Sequence, residues 1–167
     1  HDHANISALA GDPFIIKSPG EYDVKGITVQ GIETFHDAEQ GALRGVNTAY
    51  VIKVEELMIA HLGDFGENEL RPEIAESIGK VDILMIPVGG VYTIDAKHAS
   101  KIIKQIEPRF VIPMHYSLKG LNFSLEGLDA FLKEMVAEKI VPIEKFAVRK
   151  KDLPEEGRVE VVLLKII

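Results

Sequence analysis

Residues 81–113 read VDILMIPVGGVYTIDAKHASKIIKQIEPRFVIP, and in this stretch two apolar runs flank an amphipathic segment. The runs Val81 to Pro87 and Phe110 to Pro113 are short and continuous, which indicates buried strands. Between them, a helix is predicted from about Asp95 to Gln105. Its apolar stripe lies on positions 99, 102, 103 and 106, which have helical spacing. Strand and helix therefore alternate in this half of the chain, which predicts an α/β arrangement.

The first part of the chain is rich in β-forming residues, which predicts short strands and hairpins. The predicted strands are Phe14 to Lys17, Ile27 to Gln30, Ala49 to Val54 and Leu57 to His61. A tight turn at Glu55–Glu56 joins the last two strands, and Pro72 lies near the start of a helix. Hairpins followed by alternating strands and helices give a mixed α/β (α+β) class.

One more helix and one more strand are predicted after residue 113. Ser124 is the expected cap of a helix that places Leu128, Phe131, Leu132 and Met135 on one face. A strand from Arg158 to Ile167 closes the chain, after a charged turn at residues 150–157. With 167 residues and 46% hydrophobic content, the chain fits one domain over residues 1–167.

Composition argues against several classes of function. The 26 acidic and 19 basic residues give a net charge of −7, which disfavours broad capture of nucleic acid or of anionic membrane surfaces. The sequence contains no cysteine, so any metal must be held by imidazole and carboxylate groups. No apolar run approaches the roughly 20 residues that cross a bilayer, and the first residues lack the order of a secretory signal. A cytoplasmic location is the default expectation.

Groups that can bind a metal stand at the ends of predicted strands. His1 and His3 are two residues apart, so in an extended segment both rings point to the same side. His36, Asp64 and His115 each follow a predicted strand. Strand ends that converge on one rim would bring these groups together as a metal site.

Other interpretations of the histidines remain open. An ordinary structural role is one of them, and the segment His1 to His3 could be the remnant of a tag. His61 lies inside an apolar strand and is predicted to be a hydrogen-bonded core residue, with support of the metal ligands as the alternative. His98 lies beside Lys97 and Lys101 on a predicted helix, which indicates exposed surface. Neither His61 nor His98 is predicted as a ligand.

Several short motifs follow one another along nearly the whole chain, and their order is informative. They are His-Asp-His at 1–3, Ser-Pro-Gly-Glu-Tyr at 18–22, Phe-His-Asp at 35–37, His-Leu-Gly-Asp at 61–64, Ile-Pro-Val-Gly-Gly at 86–90 and Pro-Met-His-Tyr at 113–116. Together they resemble the metallo-β-lactamase superfamily and, more narrowly, its UlaG-like branch, which includes ascorbate-6-phosphate lactonase. The resemblance implies a four-layer αβ/βα sandwich with metals at the rim where two sheets meet. Family members carry strands before the first motif, so we expect a chain recorded without its first strands.

The resemblance also implies a ligand set. The first family motif reads His-x-His-x-Asp-His, and its last two ligands fall here on Asn5 and Ile6, which leaves the second metal site incomplete. The implied ligands of a first site are His1, His3 and His36 with the bridging carboxylate of Asp64, while Asp64 and His115 remain from the second site. We expect one zinc or manganese ion per chain.

The function implied by the resemblance is metal-dependent hydrolysis of a small, anionic ester, lactone or phosphodiester. A bound ion would lower the pKa of its water, and Asp64 and His115 are the predicted catalytic residues, with His115 as a proton donor. Tyr92, Thr93 and Tyr116 follow strand ends and are predicted to contact the substrate. The resemblance further implies a homo-oligomer.

Particular features of the sequence favour or disfavour three alternative functions. A catalytically silent member that acts as a binding or structural module is favoured by Asn5 and Ile6. A nuclease is disfavoured by the acidic balance. A terminal amine together with His3 would suit copper or nickel, if the chain truly begins at His1.

Overall fold

The computed structural model describes residues 8–165, which contain seven strands and three helices. In chain order these are β1 (Gly20–Val24), β2 (Ile27–Phe35), β3 (Val46–Val54), β4 (Leu57–His61), α1 (Pro72–Ile78), β5 (Ile83–Pro87), α2 (Ala96–Ile106), β6 (Phe110–Met114), α3 (Leu128–Glu134) and β7 (Glu160–Val161). A single 3-10 turn, Lys150–Asp152, lies between α3 and β7. The predicted mixed α/β class is confirmed.

The seven strands form one sheet in which spatial order follows chain order. Strands β1 to β4 are antiparallel neighbours, whereas β4 to β7 pair in parallel. Since β3 runs against both of its neighbours, β2 points the same way as β4, β5 and β6. The carboxyl ends of these four strands therefore meet at one edge of the sheet, which we call the carboxyl edge.

The connections differ in length because the strand directions differ. Antiparallel neighbours need only tight turns, and Lys25 and Gly26 both have positive φ, as a two-residue hairpin turn favours. The predicted turn at Glu55–Glu56 joins β3 to β4. Parallel neighbours need crossovers, and the crossovers from β4 to β5 and from β5 to β6 carry α1 and α2.

Helix α2 covers one face of the sheet with its apolar side. Its first turn is capped by Asp95, whose side chain accepts a hydrogen bond from the His98 backbone N–H. The predicted stripe at positions 99, 102, 103 and 106 is buried and shares the main core with Leu84, Ile86 and Val111 of β5 and β6. Removal of this apolar surface from water is the main stabilisation of the arrangement.

The opposite face of the sheet holds a second, smaller cluster. Ile83, Phe110 and Val162 are buried there, and Phe146 packs edge-on against Phe110 with ring centroids 4.9 Å apart. Within residues 8–165, hydrogen bonds join the seven strands into one sheet. Among these residues, no helix combines the length and apolar character that a bilayer crossing needs.

Three predicted elements are wrong in place or extent. Residues 14–17 form no strand, because β1 takes the sheet edge beside β2, and Phe14 is 67% exposed. Ser124 does not cap α3, which begins four residues later with Gly127 at its cap position. The closing strand is limited to Glu160–Val161, with an isolated bridge between Ile143 and Leu164. Its predicted last residues, 166–167, lie outside the described residues.

Candidate metal centre

Three of the predicted ligands meet at the carboxyl edge. His36 follows β2, Asp64 follows β4 and His115 follows β6. His36 Nε2 lies 3.5 Å from Asp64 Oδ2, and His115 Nε2 lies 4.0 Å from Asp64 Oδ1. Two imidazoles thus approach the two oxygens of one carboxylate, as the common direction of their strands requires.

The other half of the predicted ligand set lies outside the described residues. His1 and His3, together with Asn5 and Ile6, precede residue 8, so their assignment stays a prediction. Within residues 8–165, no group of three or more histidine, aspartate or glutamate side chains is arranged so that it could hold a metal ion by itself. The three described side chains are therefore a partial donor set.

Asn47 holds the turn that presents Asp64. Its Oδ1 accepts a hydrogen bond from the Asp64 backbone N–H at 2.9 Å, and its Nδ2 donates to Leu62 O and Thr34 Oγ1, both at 2.8 Å. Gly63 lies between with a φ of +60°, and a Cβ at this position would overlap Asn47 Oδ1. No sequence pattern indicated this role of Asn47, because its partners lie 13 to 17 positions away in the chain.

A close backbone approach fixes His36. The Gly66 N–H donates to Phe35 O at 2.9 Å, and a Cβ on Gly66 would overlap the carbonyl group of His36. Residue 66 therefore has no room for a side chain. Because Gly66 follows Asp64 by two residues, this contact brings the Asp64 segment against the His36 segment.

Asp37 organises the loop that follows His36. Its buried carboxylate accepts backbone hydrogen bonds from Glu39 and Gly41 on one oxygen and from Leu43 and Arg44 on the other, at 2.6–3.0 Å. Burial by itself raises the pKa of Asp37, but these four donors outweigh it and lower the pKa below its ordinary value. The ionised Asp37 carboxylate thus stabilises the conformation of the loop by accepting these hydrogen bonds. Apart from the Phe-His-Asp motif at 35–37, no sequence pattern indicated this role of Asp37.

His115 is held in a left-handed backbone conformation, which few residues other than glycine adopt. Its φ is +53°, and a Cβ on Gly89 would overlap the His115 carbonyl oxygen. Thr93 Oγ1 lies 3.4 Å from His115 Nδ1, within reach of a hydrogen bond whose direction depends on the tautomer. The loop after β5 therefore contacts His115 at its carbonyl group and at the Nδ1 side of its ring.

The three predicted substrate-contacting residues occupy different positions. Tyr92 is 39% exposed on the rim, where its ring meets Phe123 edge-on with centroids 6.1 Å apart. Thr93 lies against His115. Tyr116 is partly buried and packs against the main core. Tyr92 thus offers the most accessible surface of the three.

The two remaining described histidines have local roles. His61 Nδ1 accepts a hydrogen bond from the Gly63 N–H at 3.1 Å. Burial lowers the pKa of His61, against the opposing influence of the Asp64 charge. His98 Nδ1 lies 2.7 Å from Asp95 Oδ1 at the start of α2. His61 therefore supports the Gly63–Asp64 turn, and His98 belongs to a helix cap.

The chemistry of the donor set fits a divalent metal ion. Imidazole nitrogens are borderline ligands that suit zinc, and a carboxylate oxygen is a harder ligand that suits zinc or manganese. His36 is buried, and Asp64 and His115 are only partly exposed, so the donors are shielded from water but can be reached from the rim. These three residues could hold such an ion together with further donors.

Comparison with known proteins identifies the family. A family model described as a beta-lactamase superfamily domain matches residues 1–115. A predicted zinc-dependent hydrolase of the metallo-β-lactamase superfamily from Thermotoga maritima has a crystal structure that is similar over 99% of this chain and 79% of its own, with a TM-score of 0.79 and 34% identity.

Curated relatives match a smaller share of their own length. A UPF0173 metal-dependent hydrolase of Pyrococcus horikoshii is 30% identical over 59% of this chain and 44% of its own. A UPF0173 protein of Pyrococcus abyssi is 31% identical over 80% of this chain and 60% of its own. The chain thus spans about half the length of the curated relatives it matches. By the family match, which includes the segments of His36, Asp64 and His115, this chain belongs to the metallo-β-lactamase superfamily.

Proposed function

We propose that this chain is a metal-dependent hydrolase of a small-molecule substrate. The observation that carries the proposal is the approach of His36 and His115 to opposite oxygens of Asp64, at 3.5 and 4.0 Å. A bound divalent ion supplies a water molecule of lowered pKa, which is the nucleophile that hydrolysis requires. The names of the Pyrococcus horikoshii and Thermotoga maritima relatives describe the same class of reaction.

The residues around that water have three roles, which are metal binding, proton transfer and positioning of the Asp64 carboxylate. His36 and Asp64 would hold the ion, with His1 and His3 as the proposed further ligands. His115 stands on the other side of the Asp64 carboxylate, and Thr93 fixes its Nδ1 side, so its Nε2 faces the centre and can pass a proton to the leaving group. Asn47 and Gly63 keep the Asp64 carboxylate between the two rings.

The finer parts of the proposal are the metal and the reaction. The loss of two ligands at Asn5 and Ile6 supports one zinc or manganese ion per chain. An ester, a lactone or a phosphodiester is the proposed substrate, with the UlaG-like resemblance as its support. A cytoplasmic location and a homo-oligomeric state remain predictions.

Metal analysis and a substrate screen test the proposal together. We expect the purified chain to hold one zinc or manganese ion and to hydrolyse generic ester, lactone or phosphodiester substrates after metal addition. His36→Ala should abolish turnover and weaken metal binding, whereas His98→Ala should change neither, because His98 contacts the α2 cap. Equal metal content and activity in the His36→Ala protein would refute the proposed centre.

A catalytically silent binding module is the second candidate. It is favoured by Asn5 and Ile6, which stand where the family motif has an aspartate and a histidine. This candidate predicts metal binding that depends on His36 without turnover of any substrate in the screen. Calorimetric titration with zinc beside the activity assay separates the two candidates.

A further inference from the structure

An arginine and a tyrosine form a fixed pair on the rim beside the candidate metal centre. The Arg44 guanidinium carbon lies 5.6 Å from the centre of the Tyr92 ring, and Arg44 Nη2 donates to Val91 O at 3.2 Å. A cation over an aromatic face is attracted to it, and the carbonyl sets the angle of the guanidinium plane. The planar fork of Arg44 is therefore pre-organised, which favours recognition of carboxylate or phosphate groups.

Both members of the pair are connected to the histidines of the centre. Tyr92 precedes Thr93, which lies 3.4 Å from His115 Nδ1. The Arg44 backbone N–H donates to Asp37, the residue directly after His36, at 2.6 Å. Arg44 and Tyr92 are thus held by the same two loops that carry His36 and support His115.

An apolar wall continues from the tyrosine. The Tyr92 and Phe123 rings meet edge-on at 6.1 Å, and these side chains are 39% and 48% exposed. Val91, next to Tyr92, is also exposed. Two accessible aromatic rings beside an oriented cation suit a ligand that has both an apolar body and a charged group.

The charges near this loop have opposite signs. The Glu126 carboxylate lies against Gly90, where an added Cβ would be 3.0 Å from Glu126 Cδ. An anion that approaches the loop meets repulsion near Gly90 and attraction near Tyr92. The Arg44 guanidinium beside the Tyr92 ring supplies a positive charge that can orient an anionic ligand on a chain with a net charge of −7.

We infer that Arg44, Tyr92 and Phe123 form the substrate-recognition surface of the centre. Arg44 binds an organic oxyanion, a carboxylate or a phosphate, and the two rings contact the apolar body to which the oxyanion is joined. The inference rests on the proposed function for the reaction that follows binding, but the binding itself does not depend on turnover.

Binding of non-hydrolysable probes tests the surface directly. Phenylphosphonate and benzoate carry the two kinds of oxyanion, and benzamide is a neutral aromatic of similar size. Calorimetry on the full chain, metal-loaded and chelator-treated, should show that Arg44→Gln lowers the affinity ratio of each anion to benzamide about tenfold. Tyr92→Ala should weaken binding of all three probes, and Tyr92→Phe should retain it.

A matched charge removal is the control. Arg149→Gln also deletes one positive charge, from an exposed residue that pairs with Asp152, and should leave the affinity ratios unchanged. Circular dichroism confirms that each variant is folded. The inference is overturned if the native chain binds neither anion in either metal state, or if Arg44→Gln leaves the ratios as they are.

A pair of ester substrates separates failure of the inference from failure of the proposed function. The metal-loaded chain is assayed with monophenyl succinate, which carries a carboxylate, and with neutral phenyl acetate. We expect Arg44→Gln to lower the kcat/KM ratio of the first to the second about tenfold. Probe binding through Arg44 without any turnover would sustain the inference and refute the hydrolase. Turnover with no preference that depends on Arg44 would do the reverse.

Discussion

Asn47 Oδ1 accepts a hydrogen bond from the Asp64 backbone N–H at 2.9 Å, across 17 positions of the chain. Because the same amide donates to Leu62 O and Thr34 Oγ1, one side chain ties the start of β3 to the end of β2 and to the turn after β4. The position of the shared carboxylate therefore depends on a residue that has no chemical role of its own.

Replacement of Asn47 by alanine should lower both the stability of the chain and the metal affinity of the centre. The Asp64 N–H and Thr34 Oγ1 would lose a partner in a partly buried site, which costs about 1–3 kcal/mol of unfolding free energy. Metal affinity should fall as well, because Asp64 is no longer held. Chemical denaturation and zinc titration measure the two effects, and Asn122→Ala, at an exposed position, is the control. Native stability in Asn47→Ala would contradict the proposed role.

Gly66→Ala should displace His36. An added Cβ would overlap the His36 carbonyl group, so the two segments must separate, at a cost of about 1–3 kcal/mol. Gly127→Ala meets no neighbouring atom within 4 Å, so its cost should be limited to the cap preference at the start of α3, below about 1 kcal/mol. Thermal melting of the two variants gives the comparison, and His36-dependent metal binding should be lost only in the first. Equal melting temperatures would argue against the close approach.

The α2 cap should contribute a pH-dependent part of the stability. Burial raises the pKa of Asp95, but its hydrogen bonds with His98 and the charge of that residue outweigh burial and lower the pKa below 3.8. A carboxyl group whose pKa is lower in the folded than in the unfolded chain stabilises the fold above the unfolded pKa. That contribution is lost as the pH falls through the folded pKa.

Asp95→Asn keeps a capping oxygen but removes this titration. Its melting temperature should therefore decline less steeply than that of the native chain as the pH falls below 3.8. Asp12→Asn, at an exposed loop position, should leave the native profile in place. Parallel profiles for the native chain and Asp95→Asn would rule the cap out as the source.

Substitution of Asp82 should affect stability without affecting the centre. The buried Asp82 carboxylate accepts hydrogen bonds from the Met58 backbone N–H and from Lys150 Nζ, all at 2.9 Å. Asp82 precedes β5, so it lies at the sheet edge opposite the carboxyl edge. Asp82→Ala leaves both donors without this acceptor, and Lys150→Met leaves the buried Asp82 carboxylate without its cation, so both variants should be less stable than the native chain. Denaturation curves and metal titration on both variants check this, and a loss of metal affinity that is not explained by unfolding would be the contrary result.

The sequence predicted the elements whose signals are local. The stripe of α2, the turn at Glu55–Glu56 and the strands of residues 81–113 are confirmed because spacing and turn chemistry are set by neighbours in the chain. The meeting of His36, Asp64 and His115 followed from their common place at strand ends.

The errors and omissions depend on distant contacts. Whether residues 14–17 or β1 pairs with β2 is decided by competition for one sheet edge, which composition does not report. Asn47 and Arg44 act through residues 17 and 47 positions away, so no local pattern marked either of them.

Because β2, β4, β5 and β6 share one direction, the tight turns Lys25–Gly26 and Glu55–Glu56 lie at the edge of the sheet opposite the donors. A five-residue strand such as β5 separates the two edges by about 16 Å, at roughly 3.3 Å per residue. New chain termini, affinity peptides or fluorescent labels could be introduced at the Lys25–Gly26 or Glu55–Glu56 turns while the donors at the far end stay undisturbed. The architecture thus provides its own attachment points for the reagents that would report on it.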